Sequence, residues 1–306
     1  MFKHASLIIS ILSVALSAQA QNIKYKDFVF TDVITTKNLS YNPSAIKKEK
    51  KFYQFDLFQP KGDNSTGRPL IIWMHGGGFK FGTKSAKGVQ LWSKTFAQRG
   101  YVCADINYRL SKNNPLFHFD ELLKSTYFAV QDAKMAVEYF KHHYREYGID
   151  PNKIILGGNS AGGMIAMQAA YSSNEELAKM AGLSNDTAAI NKPHERVKVA
   201  AVINFWGAIY NLNWLKNARV PIVSALGSND GLISPTHKSA PLYGGEDIHT
   251  TADSLHIPNK IKIFEGYSHE LQKHFNPIFP VGSGTEQRWL EAGQFAADFL
   301  YNSLFK

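Results

Sequence analysis

Lys153-Ile154-Ile155-Leu156-Gly157-Gly158-Asn159-Ser160-Ala161-Gly162-Gly163 is the stretch whose reading decides the fold. A short apolar run leads into a serine flanked by glycines, and a Met and Ala pattern of helical character follows from Met164 to Ala170. Strand, sharp turn and helix accommodate all of these parts. Such a turn forces the Ser160 backbone into a strained conformation, and only residues without Cβ fit beside it at Gly158 and Gly162. The Ser160 hydroxyl is then lifted into the crevice beyond the strand's carboxyl end. The N–H of Ala161 falls at a helix N-terminus, where it can donate to a developing oxyanion. G-x-S-x-G taken alone is a weak signal, because clusters of Gly, Ser and Ala are also common in plain turns.

The surrounding chain repeats the same design. Pro69–Met74, Val102–Tyr108, Ile154–Leu156, Val199–Phe205, Ile222–Leu226 and Ile261–Phe264 are continuous apolar runs, as expected of strands covered on both faces, and Tyr53–Phe58 alternates like a half-buried strand. Helical stretches lie between them. The clearest runs from about Asp120 to Tyr147, with Val130, Ala133, Val137 and Phe140 on one face, and another closes the chain from about Gln287 to Leu304. Strands alternating with helices predict an α/β fold with a mostly parallel sheet, its ligand crevice beyond the carboxyl ends of the strands. At 306 residues, 44% of them apolar, the chain suits one α/β domain. No repeat, low-complexity tract or linker divides it.

Three further motifs sit where that sheet needs them. His75-Gly76-Gly77-Gly78 follows directly on Leu70–Met74, and successive glycines let a main chain approach a substrate with its N–H groups turned inward, which is the design of an oxyanion loop. His75 itself reads as a residue that shapes the loop. A serine nucleophile needs a base, and the base needs a third group to orient it. Gly227-Ser228-Asn229-Asp230-Gly231 places Asp230 after the strand Ile222–Leu226, and Glu265-Gly266-Tyr267-Ser268-His269-Glu270 places His269 after Ile261–Phe264. Of the eleven histidines, His142, His143, His237, His249, His256 and His274 have no such context, and the rival acid Asp247 falls in a segment that reads as irregular. The chain order Ser160, Asp230, His269 is the one a serine triad takes on this type of sheet.

Other chemistries find little footing. There is no H-E-x-x-H or H-x-x-E-H pattern and only one cysteine, Cys103, so neither a zinc site nor an intrachain disulfide is expected, and phosphate-loop and dinucleotide fingerprints are absent. No cofactor is called for. The formal charge of +9 is scattered, apart from Lys47, Lys48, Lys50 and Lys51, which marks a solvated surface rather than a nucleic-acid footprint.

Residues 1–20 read as an address. Lys3 and His4 precede the apolar run Leu7–Leu16, and Ala18-Gln19-Ala20 supplies small residues for cleavage before Gln21. The expectation is an exported mature chain, secreted or periplasmic, with a single catalytic domain over residues 21–306. The apolar run is too short to cross roughly 30 Å of hydrocarbon, so stable membrane insertion is not expected.

Together, His75-Gly76-Gly77-Gly78-Phe79, Asn107-Tyr108-Arg109-Leu110, Gln131-Asp132-Ala133, Gly158-Asn159-Ser160-Ala161-Gly162, Asp230 and His269 resemble the α/β-hydrolase esterases of the hormone-sensitive lipase and carboxylesterase branch. The resemblance implies an eight-stranded, mostly parallel sheet flanked by helices, with an oxyanion hole from the N–H groups of Gly77, Gly78 and Ala161. It makes Tyr108, Arg109 and Asp132 scaffold positions. The region before the sheet is short, so little or no N-terminal cap is expected. Exported relatives with little cap often act on acyl groups of plant polysaccharides, which points to a serine esterase for short-chain acyl esters, acetyl or feruloyl groups on such polymers among them. For substrate contacts the sequence offers Phe79, Trp206, Tyr210 and Trp214. The stretch Phe205–Trp214 follows a buried strand and reads equally as a pocket wall, a sugar-stacking platform or ordinary packing. Ser234–Pro258 is long for an unstructured connection and reads as a lid or rim. Two other classes remain open: a serine peptidase of the prolyl oligopeptidase kind, separated by amide turnover, and a non-catalytic binding protein on a hydrolase scaffold, separated by failure to react with an organophosphate.

Overall fold

Alternate residues of the run Pro69–Met74 point to opposite faces, and both faces are core. Leu70, Ile72 and Met74 enter one hydrophobic cluster, while Ile71 and Trp73 enter another. A strand with no wet face has no reason to alternate polar and apolar residues, which is why the run is unbroken. The computed structural model describes residues 22–184, 196–238, 241–278 and 281–306. Residues 1–20, with the expected signal segment, lie outside them. In chain order the elements are strands β1 (Val33–Ser40), β2 (Gln54–Pro60) and β3 (Arg68–Met74), helix α1 (Lys87–Ala97), β4 (Val102–Ile106), helix α2 (Phe119–His142), the single turn α3 (Tyr144–Tyr147), β5 (Ile149–Asn159), α4 (Ala161–Tyr171), α5 (Asn174–Met180), β6 (Ala201–Phe205), β7 (Ile222–Gly227), α6 (Gly245–Ser254), β8 (Asn259–Phe264) and α7 (Ser283–Leu304).

The eight strands form one sheet in the order β1-β2-β4-β3-β5-β6-β7-β8. β2 pairs antiparallel with β1 and β4, and every other pairing is parallel. Helices α2 to α6 cover one face and α1 with α7 the other. This is the α/β-hydrolase arrangement. Among the described residues no α-helix precedes Lys87.

Three elements depart from the sequence reading. β1 is a mostly exposed edge strand, broken by a bulge between Thr36 and Leu39, and an edge strand wet on one side carries no apolar run to betray it. Ser234–Pro258 is not irregular throughout: it contains α6, whose Ile248 and Ala252 are fully buried, and Tyr243 pairs with Ile209 across an isolated bridge. The described stretch from Tyr243 to Ser254 is therefore packed into the face beside β8. The long helix stops at His142, one turn short of the predicted end, and Gly148 at φ 61° then turns the chain into β5.

Two buried polar arrangements hold the loop that leaves β3. Burial drives the His75 imidazole down to about 4, so it is neutral near pH 7. Its Nδ1 lies 2.7 Å from the Gly76 carbonyl oxygen and therefore carries the proton. The Tyr108 ring stacks on it at 4.4 Å, and the Tyr108 hydroxyl donates to the His75 carbonyl at 2.7 Å. Further along, the Lys84 ammonium reaches into the sheet and donates at 2.6 Å to Asp56 on β2. Asp56 faces Asp105 on β4 across the ladder. Burial, with the Asp56 charge beside it, pushes the Asp105 carboxyl well above the usual range, and the Ser93 hydroxyl donates to it.

Lys84→Met should cost about 3 kcal/mol or more, because it strands a buried carboxylate, and should lower the unfolding midpoint by roughly 5 °C. Calorimetry checks this, and a shift under about 2 °C would show that the pair does not hold the loop. His75 carries a pH dependence of definite sign. Its folded value of about 4 lies below the ordinary 6.5, so the unfolded chain binds more protons in between. Stability from this site is complete above the ordinary value and lost as pH falls towards the folded one, on the order of 2 kcal/mol by pH 4.5. Urea midpoints of the wild type should fall more steeply over that window than those of His75→Asn, and parallel falls would refute the assignment.

Candidate active site

The Gly-rich turn at the end of β5 holds Ser160 at φ 54° and ψ −120°, outside the regions an L-residue normally visits. Its cost, about 1–3 kcal/mol, is borne by the packing around it. A Cβ on Gly158 would strike the Gly162 backbone, and one on Gly162 would strike the Met74 carbonyl oxygen. Helix α4 can thus begin directly against β3 and β5. The turn is fastened from both sides: the Ser160 N–H donates to the Phe205 carbonyl at 2.9 Å, and the Ser160 carbonyl accepts from Met164 at 3.0 Å.

The loop after β3 passes over that turn. A Cβ on Gly76 would lie 2.8 Å from Asn159 Nδ2 and 3.3 Å from Ser160 Cβ, so only glycine permits the approach. Gly77, Gly78 and Phe79 follow with φ of 111°, 58° and 60°. Left-handed backbone at successive positions curls the chain and leaves N–H groups turned to one side. Among the described residues, the N–H groups of Gly77, Gly78 and Ala161 donate to no protein acceptor, as an anion-binding set requires. The loop is closed from outside by Leu116, whose side chain a Cβ on Gly78 would meet.

Opposite stands the acid–base pair. His269 Nε2 lies 2.9 Å from Ser160 Oγ, and His269 Nδ1 lies 2.7 Å from Asp230 Oδ2. The other Asp230 oxygen accepts the N–H groups of Leu232 and Ile233, both at 2.9 Å, which fixes the carboxylate towards the imidazole. The Nδ1–H tautomer follows, leaving Nε2 as acceptor for the serine hydroxyl. Ser160, Asp230 and His269 are 5%, 2% and 1% exposed, so bulk water is largely excluded from the hydrogen-bonded line. Asp247 takes no part. It sits in the first turn of α6, and its carboxylate accepts the His237 N–H. Arg109 and Asp132 form a bidentate pair at 2.7–3.0 Å, which ties the segment after β4 to the middle of α2 and takes no part in the Ser160 hydrogen bonds.

The four aromatic residues expected to touch substrate are core residues instead. Phe79 is fully buried against Tyr108, and Trp206 is packed between Trp92 and Trp289 on the α1–α7 face. Tyr210 spends its hydroxyl on Thr126 at 2.7 Å, and Trp214 is 4% exposed in the α4–α6 layer. A sugar cannot stack on a ring with no free face. The accessible groups were not singled out from the sequence. An open groove of about 680 Å³ runs along His269 and is lined by Asn229, Leu232, Ser268, Lys273 and Phe275. The Phe275 ring meets the imidazole edge-on at 5.0 Å. Beside the base, burial raises the Glu270 carboxyl above its ordinary value. Their signal in the sequence was position: each lies in a loop just beyond the carboxyl end of β7 or β8. Among the described residues no cluster of three metal-capable side chains exists, and no helix is long and apolar enough to cross a membrane.

The family model described as BD-FAE matches residues 55–237. The chain is 29% identical over 168 residues to a probable carboxylic ester hydrolase of Mycobacterium tuberculosis, LipM, covering 55% of this chain and 34% of that protein. It is 26% identical over 231 residues to para-nitrobenzyl esterase of Bacillus subtilis, covering 74% of this chain and 42% of that one. The chain thus spans less than half the length of these relatives. Esterase 2 of Thermogutta terrifontis, phosphorylated by paraoxon, superposes with a TM-score of 0.61 at 20% identity, over 88% of this chain and 94% of that one. Its propionate-bound form gives 0.59 over the same shares. The structural likeness establishes the shared fold, and the family match takes in the oxyanion loop, the Ser160 turn and Asp230: the chain belongs to the BD-FAE family.

Proposed function

We propose that the protein is an exported serine carboxylic-ester hydrolase that acts through an acyl-enzyme on short-chain acyl esters, with acetyl or feruloyl groups on plant polysaccharides as the natural class. One observation carries the reading. Asp230, His269 and Ser160 form an unbroken hydrogen-bonded line, and the N–H groups of Gly77, Gly78 and Ala161 are left without a protein acceptor. Ser160 Oγ attacks the ester carbonyl carbon as its proton passes to His269 Nε2, and Asp230 stabilises the imidazolium. Negative charge then gathers on the former carbonyl oxygen, where Gly77, Gly78 and Ala161 donate to it. His269 returns the proton to the departing alcohol, the C–O bond breaks, and water deacylates Ser160 by the same route in reverse. No step calls for a cofactor.

The groove along His269 is the side from which the alcohol leaves, since the proton donor lines it. It is broad and open, which suits an alcohol carried on a sugar polymer. The acyl side is bounded by Leu116 over Gly78, which suits a short acyl group, and the related esterase solved with propionate bound supports the same choice.

Ser160→Ala should lower kcat by about 10⁴-fold or more on nitrophenyl acetate and butyrate, while losing one oxyanion donor typically costs about 10²–10³-fold. Acetate release from acetylated xylan, run alongside, tests the polymer. A folded wild type that neither cleaves these esters nor reacts with a fluorophosphonate would overturn the reading, and faster turnover of the matching anilides would replace it with a peptidase. Export is checked separately: the mature protein should be found outside the cytoplasm with Gln21 as its first residue, and an intact Met1 in a cytoplasmic fraction would refute it.

A further inference from the structure

Helix α7 reaches the loop that carries the base at two points. Trp289 Nε1 donates to the Glu270 carbonyl oxygen at 2.7 Å, and Arg288 Nε donates to the Leu271 carbonyl oxygen at 2.7 Å. Those carbonyls belong to the two residues that follow His269. Both are left-handed, with φ of 57° and 56°, and neither is glycine. Each costs roughly 1–2 kcal/mol, so the conformation persists only if the surroundings enforce it. The loop's own bonds, Ser268 N–H to the Gln272 carbonyl and Gln272 N–H to the His269 carbonyl, close the turn without anchoring it to the rest of the fold. The segment after β7 holds the start of the loop, with the Asn229 N–H donating to the Tyr267 carbonyl at 2.9 Å and the Ser228 hydroxyl accepting the Gly266 N–H at 2.9 Å, and the bonds to the carbonyls of the two left-handed residues come from α7.

Trp289 is itself held in a block of aromatic rings. It lies 5.9 Å from Trp92 and 6.4 Å from Trp206, and its carbonyl accepts from Trp92 Nε1 at 2.9 Å. Phe205, stacked 5.7 Å from Trp206, supplies the carbonyl that fastens the Ser160 N–H. One continuous aromatic block therefore touches the nucleophile's turn at one end and the base's loop at the other.

We propose that Trp289 is a positioning residue for His269: its indole N–H holds the left-handed Glu270 so that the imidazole stays in line between Asp230 and Ser160. The inference rests on the esterase reading for its kinetic consequence, but its geometric content can be read without turnover. Trp289→Phe keeps an aromatic ring in the block while removing the donor together with the pyrrole part of the indole. Its kcat should fall about 10- to 100-fold with KM changed less than about twofold, the cost of a reacting group displaced by about 1 Å. The rate of inactivation by a fluorophosphonate should fall by the same factor. The downfield proton resonance of His269 Nδ1–H, identified by its loss in Asp230→Asn, should broaden or vanish. Tyr101→Phe, which removes a 3.1 Å bond from a buried hydroxyl to the Tyr25 carbonyl in the same layer, should lose comparable thermal stability with kcat intact.

Should Trp289→Phe fail to fold, Arg288→Met removes the neighbouring anchor from a half-buried position and should give the same pattern. Wild-type kcat and an unchanged resonance in a folded variant would overturn the proposal, as would an equal loss of kcat in Tyr101→Phe. If the wild type proves inactive on esters, the esterase reading fails while the resonance still decides whether Trp289 positions His269.

Discussion

The contact on which the rest of the site depends is the one between Gly162 and the Met74 carbonyl. It brings the start of α4 to within backbone distance of β3, and every other catalytic element is placed relative to that helix. Because no side chain separates them, Ser160 stands directly beyond the carboxyl end of β5 with the loop from β3 running over it. A larger residue at Gly162 would move the serine away from the Gly77 and Gly78 N–H groups at the same moment as it moved it from His269.

Parts of this were legible in the sequence because they are local. A serine between glycines after an apolar run, three glycines after another, an acid and a histidine each just beyond a strand: every one is read within a few residues, and parallel topology then gathers them at one edge of the sheet. The strands read well for a similar reason, since burial on both faces leaves an unbroken apolar run. β1 escaped because an edge strand with a wet face has no such run, and α6 escaped because its Gly-initiated, polar sequence shows only two fully buried aliphatic side chains, Ile248 and Ala252.

The aromatic residues show where local reading runs out. Phe205 ends β6 and Trp206 follows it, so both belong by position to the crevice end of the sheet, yet both face the α1–α7 layer. Which way a residue faces depends on strand parity and on the φ of 39° at Trp206, and neither is visible in composition. A tryptophan after a strand can meet a ligand or a helix. Here the helix is α7, 80 residues further along the chain, and its contribution to the site is a long-range one that no spacing rule could reveal.

Nucleophile and base are consequently held by different physics. Ser160 is fixed by the absence of side chains, in a turn whose strain is offset by close backbone packing on every side. His269 is fixed by the presence of side chains, on a loop whose two left-handed residues are pinned by donors from α7 and whose Leu271 is fully buried beneath them. The first kind of constraint tolerates almost no substitution. The second tolerates changes that preserve the donors and the volume, so the base loop can vary around the groove without losing the alignment of the imidazole. Such a division leaves the Ser160 turn the more constrained of the two, with the open groove lying along the His269 loop.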